Sequence, residues 1–228
     1  MNRLLQGFVI LCLGFGLRAT AASPFAREIA AFEARAKTNP PPQEAILFLG
    51  SSSIRKWNTL VRDFPGHTVI NRGFGGSQIS DSIYYFDRIV LPLHPKIIVF
   101  YAGSNDIAVG KKPETVVNDF ETLARKMESE LPGTKLAFIS IATSPSRWTQ
   151  VEKVKEANRD IADFISHDQK LAFINIFDVM LDSDGKPQPD LYVADRLHMT
   201  AKGYAIWTSI IAPYLGKADP AVPPSPTP

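Results

Sequence analysis

Ala45-Ile46-Leu47-Phe48-Leu49 is apolar without a break and stops at Gly50-Ser51-Ser52-Ser53. A short continuous run of this kind suits a strand covered on both faces, as in a parallel sheet with helices on either side. The pattern recurs downstream. Thr68-Val69-Ile70-Asn71 runs into a glycine-rich turn, and Lys96-Ile97-Ile98-Val99-Phe100-Tyr101 is rich in β-branched residues. Lys135-Leu136-Ala137-Phe138-Ile139-Ser140 and Leu171-Ala172-Phe173-Ile174 complete a set of five. Helical stretches separate them: about 80–91, ending before Pro92; a long helix after Pro113 through Val116, Phe120, Leu123 and Met127; about 147–166; and 201–215, with Ile206, Trp207, Ile210 and Ile211 on its apolar face. Upstream, 23–37 reads as a helix capped by Ser23 with Pro24 in its first turn, followed by a proline-rich linker over 38–44. Strands alternating with helices predict an α/β fold, a three-layer α/β/α sandwich on a parallel five-stranded sheet. Ligand sites in such sheets lie beyond the carboxyl ends of the strands.

Four segments fall on that edge. Ser52 follows the first strand and opens a predicted helical turn over 54–58, so its backbone N–H points out of a helix N-terminus that favours an oxyanion. Its hydroxyl needs an adjacent base to act as a nucleophile. Ser51 and Ser53 are the alternative nucleophiles, and a plain helix cap is the alternative role. Gly75-Gly76 follows the second strand; glycine lets backbone approach a ligand closely, which makes the Gly76 N–H a candidate oxyanion donor. Asn105 follows the third strand, with its side-chain amide as a second donor or as an ordinary turn asparagine.

Four histidines compete for the role of base. His67 and His94 each precede a strand, and His167 lies between a helix and the fifth strand, which places all three at the opposite edge. Only His198 sits in the loop entering the last helix. Asp195, three residues before it, is within reach of its Nδ1–H, where a carboxylate fixes the tautomer and steadies the imidazolium. Trp57, Tyr84, Tyr85 and Trp148 are candidates to line a substrate pocket, or simply to fill the core.

These blocks resemble the SGNH (GDSL-type) hydrolases. Phe48-Leu49-Gly50-Ser51-Ser52 through Trp57 is similar to the first block of that family, Asn71-Arg72-Gly73-Phe74-Gly75-Gly76 to the second, Gly103-Ser104-Asn105-Asp106 to the third and Asp195-Arg196-Leu197-His198 to the last. The resemblance covers about 45–215. It implies a flavodoxin-like sandwich and a serine esterase in which Ser52, Asp195 and His198 are catalytic, and Ser52, Gly76 and Asn105 form the oxyanion hole. It implies no metal or organic cofactor. Two positions depart from the family pattern. Ser51 stands where an acidic residue is common, with a hydroxyl still able to hydrogen-bond within the turn, and Ser77 stands where an aspartate often follows the second-block glycine. Gly-x-Ser-x-Gly is absent from the sequence, so the α/β-hydrolase nucleophile elbow does not apply.

Composition sets the context. The 228 residues carry a formal net charge of +2 and no long basic run, which argues against nucleic acid as a partner. Arg3, an apolar run over 4–17 and Ala19-Thr20-Ala21 read as an export signal over 1–21, and the apolar run is shorter than the roughly 20 residues of a comfortable membrane span. An uncleaved anchor is the alternative, but after cleavage no stable membrane span is expected. Removing Arg3 and Arg18 leaves the mature chain near neutral, and removing Cys12 leaves it without a thiol, so thiolate metal sites and cysteine nucleophiles are excluded. The expected order is the signal, a helix and linker over 22–44, the hydrolase domain over 45–217, and a disordered Pro-rich tail over 218–228. The expected location is periplasmic or extracellular. The expected partner is a small-molecule, glycan or lipid ester, such as a short acyl or acetyl ester. An O-acyltransferase acting on an envelope glycan and a noncatalytic glycan-binding module are the rival readings.

Overall fold

The computed structural model describes residues 23–219. The expected signal over 1–21 and the tail from 220 lie outside the described residues. Five strands, β1 (Ile46–Gly50), β2 (Val69–Gly73), β3 (Ile97–Tyr101), β4 (Lys135–Ile139) and β5 (Leu171–Ile174), form one sheet in the order β2-β1-β3-β4-β5, with every neighbouring pair parallel. β1 and β3 are buried along their whole length, which is why they read as unbroken apolar runs.

Alternate residues feed two cores. Leu47, Leu49, Phe100 and Phe138 point to one face and pack against α1 (Ala26–Thr38), α7 (Pro113–Glu130) and α8 (Val151–Ser166) through Ile29, Phe120 and Ile161. Ile46, Phe48, Val99 and Tyr101 point to the other and pack against α2 (Ser52–Arg55), α3 (Leu60–Asp63) and α9 (Ala201–Ile211) through Ile54, Leu60 and Trp207. This is the expected three-layer sandwich.

The helices differ from expectation in their ends. The stretch 80–91 breaks into α4 (Ile79–Tyr84), α5 (Phe86–Ile89) and a 3-10 turn over Leu91–Leu93. The break at Tyr85 lets the adjacent Tyr85 and Phe86 both bury, which one straight helical face does not favour. A short helix, α6 (Ser104–Ala108), follows β3. Pro145 opens a 3-10 segment over Pro145–Gln150 ahead of α8, and Pro213, without an N–H to donate, tightens the end of the last helix into a 3-10 turn over Ala212–Leu215. Helix α1 starts at Ala26 rather than beside Ser23; Ser23 instead closes the preceding turn, its carbonyl accepting from Ala26 N–H at 3.0 Å.

Both ends of the described chain are tied to the sandwich. Phe25 meets Phe74 edge-on with centroids 5.2 Å apart, so the N-terminal helix packs beside the second glycine-rich loop. Ala218 and Asp219, expected in the tail, are held: Asp219 N–H donates to Gly66 O at 2.7 Å, and its carboxylate accepts from Thr68 N–H at 3.0 Å and pairs with Lys96. Among the described residues no helix is long and apolar enough to cross a membrane.

Candidate active site

The loops leaving β1, β2, β3 and β4 meet at the carboxyl edge of the sheet, and the segment before α9 closes over them. Gly50, at φ +142°, ends β1 so close to its neighbour that a Cβ there would lie 2.0 Å from Tyr101 O. The chain then enters α2, which presents Ser52 at its first turn. Ser52 Oγ lies 2.9 Å from His198 Nε2. His198 Nδ1 lies 2.6 Å from Asp195 Oδ2. Asp195 also accepts from the backbone N–H groups of Leu197 and His198, each at 2.9 Å, through its other oxygen. The side-chain bond from His198, then these backbone bonds, hold its carboxyl well below the usual carboxylate range. With Nδ1–H donated to Asp195, Nε2 is left to accept from the serine hydroxyl, the tautomer a proton transfer from Ser52 requires.

His67 and His94 precede β2 and β3, and His167 caps the end of α8 before β5, all at the far edge from Ser52. The structure brings Ser52, Asp195 and His198 together and leaves those three histidines out.

Each loop is braced to the next. Phe74 N–H donates to Gly50 O at 2.9 Å, joining the first two loops. The Asn105 amide donates to Ser77 O at 2.9 Å, joining the second and third, and Nδ2 keeps a second hydrogen. Gly76 has φ +83° and nothing within 4 Å of where a Cβ would stand, so it faces open space. Asp106 is fully buried and accepts from Ile79 N–H and from Lys111 Nζ at 2.9 Å; burial pushes its carboxyl up, against the pull of Lys111. It fixes the start of α4 against the third loop. From outside, Glu28 of α1 accepts from Gly75 N–H at 3.3 Å and pairs with Arg55 at 2.9 Å. Tyr204 of α9 donates its hydroxyl to Ser53 O at 2.8 Å.

The sequence model of the GDSL-like Lipase/Acylhydrolase family matches residues 42–206. The chain belongs to this family. Solved structures agree on the fold. A GDSL-like lipase from Bacteroides thetaiotaomicron is 22% identical with a TM-score of 0.71, the match covering 83% of this chain and 99% of the other. A protein from Streptococcus pneumonia, provisionally described as a platelet activating factor, is 21% identical with a TM-score of 0.74, covering 83% and 92%. A carbohydrate esterase family 3 protein from Talaromyces cellulolyticus is 16% identical with a TM-score of 0.56, covering 75% and 95%. No curated protein matches the chain in sequence.

In this GDSL-like acylhydrolase the two departures from the family pattern are absorbed differently. Ser51 works through its backbone: its N–H donates to Tyr101 O at 3.0 Å and its carbonyl accepts from Ile54 and Arg55, while its hydroxyl, able to bond within the turn, makes no cap bond. Ser77 is fully buried, and its hydroxyl donates to Phe74 O at 3.0 Å. It closes the glycine turn without a carboxylate.

The aromatic residues singled out from sequence do not line the cavity beside Ser52. Trp57 and Tyr85 are buried in the two cores, Tyr84 is exposed, and Trp148 lies under the Lys186 ammonium at 4.7 Å. The cavity, about 20 Å³, is walled instead by Tyr101, Tyr192, Trp207, Met180 and Met199, with Arg147 and Asn105 also on its lining. Arg147, from the loop after β4, donates Nη1 to Ser104 Oγ at 2.7 Å and Nη2 to Asn105 Oδ1 at 2.8 Å, and burial pulls its guanidinium below its usual value. Lys56, one turn beyond Ser52, places Nζ 3.0 Å from His198 Nδ1 and 3.9 Å from Asp195 Oδ2. Neither cation was singled out from sequence. The available signal was positional: Arg147 follows a strand on the carboxyl edge, and Lys56 is four residues past the serine.

Proposed function

We propose that this protein is an exported serine esterase that cleaves short acyl or acetyl esters of carbohydrates or lipids through an acyl-enzyme. The observation that carries this reading is the unbroken relay from Ser52 Oγ through His198 to Asp195, at 2.9 and 2.6 Å. His198 Nε2 takes the hydroxyl proton as Ser52 Oγ attacks the ester carbonyl. The oxyanion of the tetrahedral adduct is held by the N–H groups of Ser52 and Gly76 and by the free hydrogen of the Asn105 amide. The adduct collapses, His198 protonates the leaving alcohol, and Ser52 carries the acyl group. Water, deprotonated by His198, then attacks the acyl carbonyl, and the second adduct expels Ser52 Oγ, which takes the proton back from His198 as the acid is released. Asp195 keeps the ring in its working tautomer and offsets its charge in both halves.

The small volume beside Ser52 favours a compact acyl group. The N-terminal basic residue, apolar run and small-x-small site favour export. Purified protein should release p-nitrophenol from p-nitrophenyl acetate, with kcat/KM falling along the series to octanoate, and an added acceptor sugar should leave free acetate the only acyl product. Absence of turnover on every ester, with glycan binding retained, would instead identify a noncatalytic module. Asn105→Ala, which removes one of the three donors, should lower kcat on the order of 10²–10³-fold with KM little changed. A parallel rise in KM at constant kcat would assign Asn105 to ground-state binding.

A further inference from the structure

The cavity beside Ser52 is lined by a cation that meets no carboxylate among the described residues. Arg55, Arg88, Arg125 and Arg159 each meet a carboxylate. Arg147 is more sheltered than these, yet its two side-chain partners, Ser104 and Asn105, are uncharged. Among the described residues no carboxylate stands within 4.0 Å of it. A guanidinium has five N–H donors, so two bonds leave three unused. Trp207 lines the same cavity. It is 1% exposed, and its indole N–H, without a partner among the described residues, is closed to solvent. Tyr101 lines it too, with its ring centroid 4.7 Å from that of Trp207.

A sheltered charge lowers its free energy by meeting an acceptor of opposite charge. A single water fits the enclosed part of the cavity. It would bring no charge to Arg147. A carboxylate supplies that charge: its two oxygens offer about four acceptor positions and match the planar fork of a guanidinium.

We propose that Arg147, on the lining of this cavity, anchors a substrate carboxylate, and that the preferred substrates are esters bearing a carboxylate close to the scissile bond. The proposal rests on the serine esterase reading and narrows it. Arg147 also donates to Asn105, so its charge stands beside one of the proposed oxyanion donors and offsets repulsion between a substrate carboxylate and the developing oxyanion.

The experiment compares matched acidic and neutral esters in a pH-stat, each rate normalised to that ester's alkaline hydrolysis. Monomethyl succinate against methyl pentanoate places the carboxylate on the acyl side. O-acetyl-lactate against sec-butyl acetate places it on the alcohol side. In at least one pair the acidic ester should be favoured in kcat/KM on the order of tenfold or more. That ratio should collapse towards one in Arg147→Gln and be partly kept in Arg147→Lys, which retains the charge, whatever happens to the absolute rates. A wild-type preference for the neutral member of both pairs, or a ratio that survives Arg147→Gln, would overturn the proposal and leave the cavity to a water. Fluorophosphonate labelling of Ser52 separates the two levels. Labelling without any acidic preference removes the subsite and keeps the esterase; loss of labelling in the wild type removes both.

Discussion

Ser52→Ala is expected to lower kcat for ester hydrolysis on the order of 10⁴-fold or more. Without Oγ no acyl-enzyme forms, and only the oxyanion donors and binding contacts remain to help water attack directly. The change should cost little stability. Ser52 is only half-buried and sits in a helical turn, where alanine is a good helix former. Because Ser52 and His198 act as one unit, Ser52→Ala/His198→Ala should be barely slower than either single variant. Steady-state rates on p-nitrophenyl acetate, with thermal melts as a fold control, measure both effects. Costs that multiply in the double variant would mean that the two side chains act independently, despite the 2.9 Å between them.

Asp195→Asn is expected to lower kcat on the order of 10³–10⁴-fold, by imposing the wrong tautomer. Asp195 accepts from His198 Nδ1 and from two backbone N–H groups. An asparagine can present an amide N–H to Nδ1, which moves the ring proton to Nε2, where it blocks uptake of the Ser52 proton. Lys56 adds to the effect. Its ammonium lies 3.0 Å from Nδ1. While Asp195 is ionised, that cation is held beside a carboxylate; once the charge is gone, it faces Nδ1 as a second donor favouring the same wrong tautomer. The rate of fluorophosphonate labelling should fall along with kcat. A variant that labels at the wild-type rate would show that Asp195 is not needed to orient the ring.

What was legible in the sequence followed from burial. β1 and β3 are covered on both faces, so Ile46–Leu49 and Ile97–Tyr101 stand out as apolar runs, and each stops where the chain must turn at the sheet edge. That edge could be located before any coordinates, and Ser52, Gly76, Asn105, Asp195 and His198 all fall on it. The helix ends were less legible because their causes are tertiary. The break at Tyr85 serves two adjacent buried rings, and no local breaker residue marks it. The cations at the site were illegible for a related reason. Arg147 meets Asn105 across 42 positions and Lys56 meets His198 across 142. No local pattern of charge or hydropathy encodes such pairings. Ser51 shows the limit of reading by residue type: a hydroxyl in the right turn is able to cap the helix, and the backbone does the bonding instead.

The most direct test is to react the purified protein with a fluorophosphonate and map the adduct by mass spectrometry. One adduct per chain, on the peptide carrying Ser52 and absent from His198→Ala, is the predicted result. An adduct on Ser51, Ser53 or a serine outside this edge, or no adduct in a folded protein that still hydrolyses esters, would contradict the assignment of Ser52 as the nucleophile.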